Sequence, residues 1–439
     1  MKSLFKNNNF KLLFAGNLVS EIGNSLLGIA MSFYILDLTD SSLSMGMFLF
    51  VITGTRILAS PLAGVLVDRW NKIRVIYMTD YVRGILYILL GVFIASNPSQ
   101  DNIILSLYII GILSSLNAAL FSPAITSALP EIVGEDMLQA ANGAQSIVAS
   151  ARNIIGVVAG AAIYFFVGIE WVIALNAISF LLSGFSEMFI KAKFKKEKTA
   201  EEIRLQKEKS KIEDFKDSIK YMKKRTGLLN LVGYTLVINF ALSPLLAIGM
   251  PYLFNNDLAR VNAEMEYAYT NVAFSIAMLG AGLYVGSMKI KSINKILKKG
   301  LLSLTGAFAF VAFAMFLASN GYVTFTTFYI MFIVGIVVIG ISMMFVNVPL
   351  QTGMIKIIDA DFRGRVFSTI GAISEGAVPL SFLAGGLIIE YGNVSLLGLF
   401  CVLVLLYPTF GFITNKKAKT LFDSIDQNNE NIERLQEAI

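Results

Sequence analysis

The chain has 439 residues, of which 56% are hydrophobic and only 15% charged, with a mean hydropathy of +0.69. A soluble domain carries about 25% charged residues and cannot hide so much apolar surface. A soluble enzyme is therefore excluded, and so is a nucleic-acid binder in spite of a net charge of +6. One cysteine, Cys401, rules out a disulfide framework, and the absence of histidine removes His-metal sites, His general bases and Ser-His triads.

About twenty apolar residues cross a bilayer as a helix. Twelve such runs follow one another, near 10–36, 43–67, 74–96, 103–128, 142–167, 171–190, 228–254, 267–288, 300–319, 322–347, 366–389 and 392–414. The first is too long for a signal peptide and lacks a small-residue cleavage site, so it reads as an uncleaved span. The expected fold class is an all-α integral membrane protein of twelve transmembrane helices in two six-helix halves. With the N-terminus inside, the cytoplasmic segments hold 32 of the 36 Lys and Arg residues, and the outside connections hold only Arg260. That bias places both termini in the cytoplasm.

In chain order, the first dense motif lies between spans 2 and 3. It reads Gly64-Val-Leu-Val-Asp68-Arg69-Trp-Asn-Lys72-Ile-Arg74. The glycine lets helices approach, Asp68 can meet the positive end of a helix dipole, and Arg69, Lys72 and Arg74 face the inner leaflet. Ordinary positive-inside charge explains the bases but not an acid at a span end. Asp80 and Arg83 follow, three residues apart on one helical face. Residues 131–136 after span 4 form an acidic patch. Residues 191–226 are a polar linker rich in Lys and Glu. Within it Ile212, Phe215, Ile219 and Met222 recur at helical spacing, opposite Lys216, Lys220, Lys223 and Lys224, as in an interfacial helix on an anionic leaflet. A solvated charged linker fits 195–210 equally well. The expected organisation is thus 1–190 for the first half, 191–226 for the linker, 227–415 for the second half and 416–439 for a cytoplasmic tail. Ala63-Gly64 recurs as Ala281-Gly282, and Pro123 recurs as Pro349, each pair at a matching place in the two halves. Gly280, Gly282 and Gly286 resemble a dinucleotide loop only superficially; inside an apolar span they read as helix packing. No P-loop and no G-x-S-x-G motif is present.

Twelve spans in two halves, with G-x-x-x-D-R-x-x-K-x-R between spans 2 and 3, resemble the major facilitator superfamily, with Asn71 where the family motif has glycine. Phe121-Ser-Pro123-Ala124, Leu129-Pro130-Glu131, Ala141-Asn142 and Arg363-Gly-Arg365-Val-Phe-Ser368 resemble the branch that contains macrolide-efflux proteins and the enterobactin exporter. The resemblance covers roughly residues 8–415. Drug antiporters of the superfamily often carry a Gly-Pro motif in span 5; here Gly156 is followed by Val157, and the next small residue is Gly160. The resemblance implies a cavity lined by spans 1, 4, 7 and 10, and transport by alternating access.

Charges inside a bilayer are costly and mark candidate sites. They are Glu21 in span 1, Arg56 in span 2, Asp80 and Arg83 in span 3, Arg152 in span 5, Glu187 in span 6 and Glu375 in span 11. Glu21 is the first candidate for proton coupling and Glu375 the second. The alternative for Glu21 is a structural ion pair with Arg56 or Arg152. Arg152 is expected to pair with an acid. Asp80 and Arg83 are expected to belong to the network of Asp68, Glu187 to reach water at the cytoplasmic end, and Asp37 and Glu390 to be solvated outside. Asn24, Asn117 and Asn239 add polar groups to the presumed cavity, and Asn17, Asn271 and Asn347 are further intramembrane amides, which need partners.

The expected function is secondary active export of an amphipathic small molecule, such as a drug, macrolide or siderophore-like compound, driven by a proton gradient. No catalytic residue, metal or cofactor is expected. The expected partners are the substrate and membrane lipids, without nucleic acid, for a monomeric protein in the plasma membrane. An importer or a lipid or lysolipid flippase on the same fold is the alternative. A non-transporting receptor is more remote, because the chain has no sizeable sensing domain.

Overall fold

The computed structural model describes residues 4–191, 211–225, 227–288, 290 and 292–437. Among the described residues, twelve helices are long and apolar enough to span a membrane. Span 1 is Asn8–Thr39, span 2 Ser42–Val67, span 3 Lys72–Ala95, span 4 Gln100–Val133, span 5 Ala140–Val167 and span 6 Ile169–Glu187. Span 7 is Leu228–Asp257, span 8 Ala263–Ser287, span 9 Ile293–Ser319, span 10 Phe325–Ile357, span 11 Phe362–Glu390 and span 12 Val394–Thr414. Spans 4 and 10 run past their apolar cores at the end where each carries a proline. The helical hydrogen bonds stay satisfied outside the hydrocarbon, so hydropathy marks the membrane zone rather than the helix end.

The chain separates into two compact units. The first comprises Met1–Leu205 with Phe254–Val272, and the second Gln206–Leu253 with Ala273–Ile439. In the first, span 1 packs against spans 5 and 6, span 3 against spans 4 and 6, and span 2 against span 4. Small residues make these approaches close. A Cβ on Gly160 would stand 2.6 Å from the Leu26 carbonyl oxygen, and one on Gly23 2.2 Å from the Ser179 hydroxyl. At the far end of span 1, Asp37 accepts hydrogen bonds from Tyr164 and from Asn255, the latter at 2.9 Å. Asp37 is thus exposed but bonded, not simply solvated as expected.

In the second unit, span 9 packs against spans 10 and 12, and span 7 against spans 11 and 12. Among the described residues, two helices other than the spans join this unit. The linker helix, Lys211–Lys224, lies on the start of span 11. Its Met222 is buried, whereas Phe215 and the four lysines are exposed. The remainder of the expected linker, 192–210, lies outside the described residues. The tail helix, Lys416–Glu437, packs against spans 9 and 10. Phe422 on it is fully buried and occupies the space beside Gly353 of span 10. The helix packing expected at Gly280 and Gly286 is not what these residues do, since a Cβ there would meet open space.

Span 5 contains a π-helical turn over Arg152–Gly156, and span 7 contains two, Leu245–Gly249 and Leu253–Asp257. Span 11 breaks at Ala377, between helices Ala360–Gly376 and Val378–Glu390. The cause is Pro379, which has no N–H to give to the Glu375 carbonyl. The Ala377 N–H closes on that carbonyl instead.

Candidate functional site

The polar seam of the first unit lies where span 1 meets span 5. Arg152 donates from Nη1 to the Glu21 carboxylate at 3.0 Å. One turn earlier on span 1, Asn17 donates from Nδ2 to Gln145 Oε1 at 2.7 Å. Close backbone approach at Gly156 and Gly160 sets this crossing. The π-turn adds an extra residue to the helical turn that begins at Arg152, and π-turns of this kind recur at functional positions. Neither partner of the ion pair is sealed: the Glu21 side chain is 22% exposed and that of Arg152 43%. Of the two partners considered for Glu21, Arg152 is the one present, and Arg56 is exposed on span 2.

The other sequence candidates are scattered around this seam or lie in the second unit. Asn24 is half-buried one turn beyond Glu21. Asn117 on span 4 is buried, with its carbonyl oxygen unpaired. In the second unit, Asn239 of span 7 donates to the Ser374 carbonyl at 3.4 Å, beside the break in span 11. Glu375 is exposed at that break. The structure therefore brings Glu21 and Arg152 together, and Asn239 next to Glu375.

Around the loop motif, Gly64 is buried, and Arg69 and Arg74 are exposed. The side chain of Asp68 lies outside the described residues. Lys72 forms an ion pair with Glu131 at the end of span 4. The acidic patch after span 4 thus supplies a partner for the loop motif, a pairing that distance along the chain conceals.

One expectation about the buried charges needs correction. Glu187 does not reach water; it is fully buried. Asp80 and Arg83 pair with each other at 2.9 Å, with 0% and 2% exposure. They face Glu187 and Ser183 of span 6, and the expected link to Asp68 falls on a side chain outside the described residues. The Arg83 guanidinium lies 4.5 Å from the Phe121 ring centre and 4.4 Å from that of Phe180. The aromatic faces replace part of the lost hydration. Among the described residues, no group of three or more His, Cys, Asp or Glu side chains is placed to hold a metal ion.

On the second unit the sequence missed two polar anchors. Tyr221 and Arg225 donate to the Asp359 carboxylate at 2.9 and 2.7 Å, and the Tyr221 ring stacks on Phe362 at 4.6 Å. These donors hold the Asp359 carboxyl below its usual range, the hydrogen bond from Arg225 having the largest effect. At the start of span 9, Asp426 of the tail accepts from the Ser292 hydroxyl at 2.6 Å and from the Ile293 N–H at 2.7 Å. The period-3.6 apolar face of the tail, with Phe422 on it, was the available signal.

The Major Facilitator Superfamily model covers residues 13–380. The chain belongs to the major facilitator superfamily. Its relatives include the uncharacterized MFS-type transporter YfiS of Bacillus subtilis (strain 168), 25% identical over 94% of each chain. Macrolide efflux protein A of Streptococcus pyogenes is 23% identical over 87% of this chain and 90% of that protein. The enterobactin exporter EntS of Salmonella choleraesuis is 26% identical over 38% of this chain and 40% of its own. The branch resemblance read from spans 4, 5 and 11 is therefore met. Among solved structures, a bacterial homologue of the iron transporter ferroportin in the inward-facing state superposes with a TM-score of 0.68 at 14% identity, covering 92% of this chain and 98% of that one. The fold of this multi-pass membrane transporter is thus shared with that protein. The family and fold are those of transporters, not enzymes.

Proposed function

We propose that this transporter exports an amphipathic small molecule across the plasma membrane, driven by proton influx. Two six-helix halves, 1–190 and 227–415, would alternately expose a midplane site. Relatives named for macrolide and enterobactin export support the direction and the substrate class. The observation that carries the coupling is the Glu21–Arg152 pair, a partly accessible acid and base inside the membrane. A proton on Glu21 releases Arg152, and loss of that proton restores the pair. The paired form is neutral, whereas the protonated acid leaves Arg152 as a lone charge, which is costly to move through a low-dielectric barrier. Because Arg152 competes for the carboxylate, the proton acts by opening an ion pair rather than by neutralising a bare acid.

The test is substrate-induced proton movement in proteoliposomes across a panel of hydrophobic drugs, siderophores and lysolipids. Glu21→Gln is expected to abolish uphill accumulation under an imposed pH gradient. Accumulation at the parental rate in folded Glu21→Gln protein removes Glu21 from the coupling role and turns attention to Glu375. Uptake of a hydrophilic solute without proton movement would point to an importer.

A further inference from the structure

Away from the Glu21 pair, the first unit encloses a second set of ionisable side chains. Asp80 and Arg83 of span 3 and Glu187 of span 6 have 0%, 2% and 0% exposure. Their formal charges are two negative and one positive. Arg83 gives its Nη2 hydrogen bond to Asp80, and its plane is filled by Phe121 and Phe180. That bond goes to one carboxylate, and the Arg83 Nε–H has no hydrogen-bond partner. Both oxygens of Glu187 lack a hydrogen-bond partner, and so does the nearby Ser183 hydroxyl, itself buried.

We propose that Glu187 is a proton-binding site, holding its proton whenever spans 1, 3 and 6 are packed together. One proton brings the set of two acids and one base to neutrality. A carboxylic acid can face Ser183 without a counter-ion, whereas a second bare carboxylate beside Asp80 cannot be accommodated in the dry interior. A metal cation is a poor substitute, because Arg83 already stands in the cluster as a fixed positive charge. The charged groups facing Glu187 are Asp80 and Arg83 from span 3. Glu21 of span 1 lies close enough to act on Asp80. Span 4 contributes the Phe121 ring beside Arg83. Span 1 presents Gly16, where an added Cβ would stand 3.0 Å from the Glu187 side chain, so water reaches Glu187 only if spans 1 and 6 part. The packing of the first unit is thereby proton-dependent, through a site distinct from the Glu21–Arg152 pair.

The test uses the full-length protein in lipid nanodiscs. Infrared spectra at neutral pH, compared in light and heavy water, report the carbonyl stretch of a protonated carboxylic acid. A band is expected in the parent and in Glu21→Gln, and its complete loss in Glu187→Gln. Absence of the band from the parent, its persistence in Glu187→Gln, or its removal by sodium in place of potassium would overturn the proposal. Thermal unfolding gives a second readout. One extra proton in the folded state makes the melting temperature fall as pH rises, by about 3–5 °C per pH unit for a domain of about 200 residues. Glu187→Gln should remove that slope while folding normally. The same slope in the variant as in the parent would count against Glu187.

Discussion

Arg83 is a charged side chain almost completely buried. Its long side chain crosses from span 3 between two phenyl rings and ends on Asp80, with almost no water contact. Breaking a buried pair by removing one partner leaves an uncompensated charge, at a cost of about 3–5 kcal/mol. Arg83→Leu is therefore expected to lower the melting temperature of the purified protein strongly, and Arg152→Leu much less. The Arg152–Glu21 pair is partly exposed, so either partner can recover hydration. Equal losses in the two variants would mean that burial does not separate the two pairs. The sequence marked all of these residues as charges within spans. It could not say which of them water reaches, because that depends on which neighbouring helix covers each face.

The tail helix illustrates what an element outside the membrane contributes. The first N–H groups of span 9 have no partner within their own helix. Asp426 takes two of them, at 2.7 Å from Ile293 and 3.3 Å from Asn294, and the Ser292 hydroxyl besides. Asp426→Ala should cost about 1 kcal/mol, as for loss of a helix cap. Phe422→Ala should cost about 3–5 kcal/mol, because it empties the space beside Gly353. Thermal unfolding ranks the two, and limited trypsin cleavage at Lys416, Lys417 and Lys419 should accelerate in Phe422→Ala. Unchanged cleavage would show that the helix is held by other contacts.

The linker helix is anchored differently, through the carboxylate of Asp359. Its pKa is lowered in the folded state, so the stabilisation is present above the ordinary value of 3.8 and is lost as pH falls below it. Release of the linker helix, followed by a spin label at Lys216, is expected on acidification through that range. Asp359→Asn should show the released signal already at neutral pH. A signal insensitive to both changes would place the anchor elsewhere. Hydrophobic spacing gave away the linker helix only in part, and the tail helix was not read from it. An amphipathic face shows that a helix has something to cover, but lipid and protein satisfy it equally well. Met222 is buried against protein, while Phe215 on the same helix stays exposed.

At the scale of the whole molecule, the basic-residue bias makes one clear prediction. With Cys401→Ser as background, a cysteine at Ser99 should react with an impermeant reagent in intact cells, and one at Lys216 should react only after permeabilisation. Both positions are exposed, so burial does not decide the outcome. Reaction at 216 but not at 99 would invert the topology. The membrane class, the twelve spans and the superfamily are legible along the chain, because each rests on local quantities: apolar run length, charge and a contiguous loop motif. Only the tertiary structure decided that Arg152 rather than Arg56 meets Glu21, that Lys72 meets Glu131, and that Glu187 is sealed beside Asp80 and Arg83. Those pairs join residues 59 to 131 positions apart or sit on different helices. Their meeting depends on where glycines such as Gly16, Gly156 and Gly160 let the backbones approach, and the sequence shows the glycines without showing what faces them.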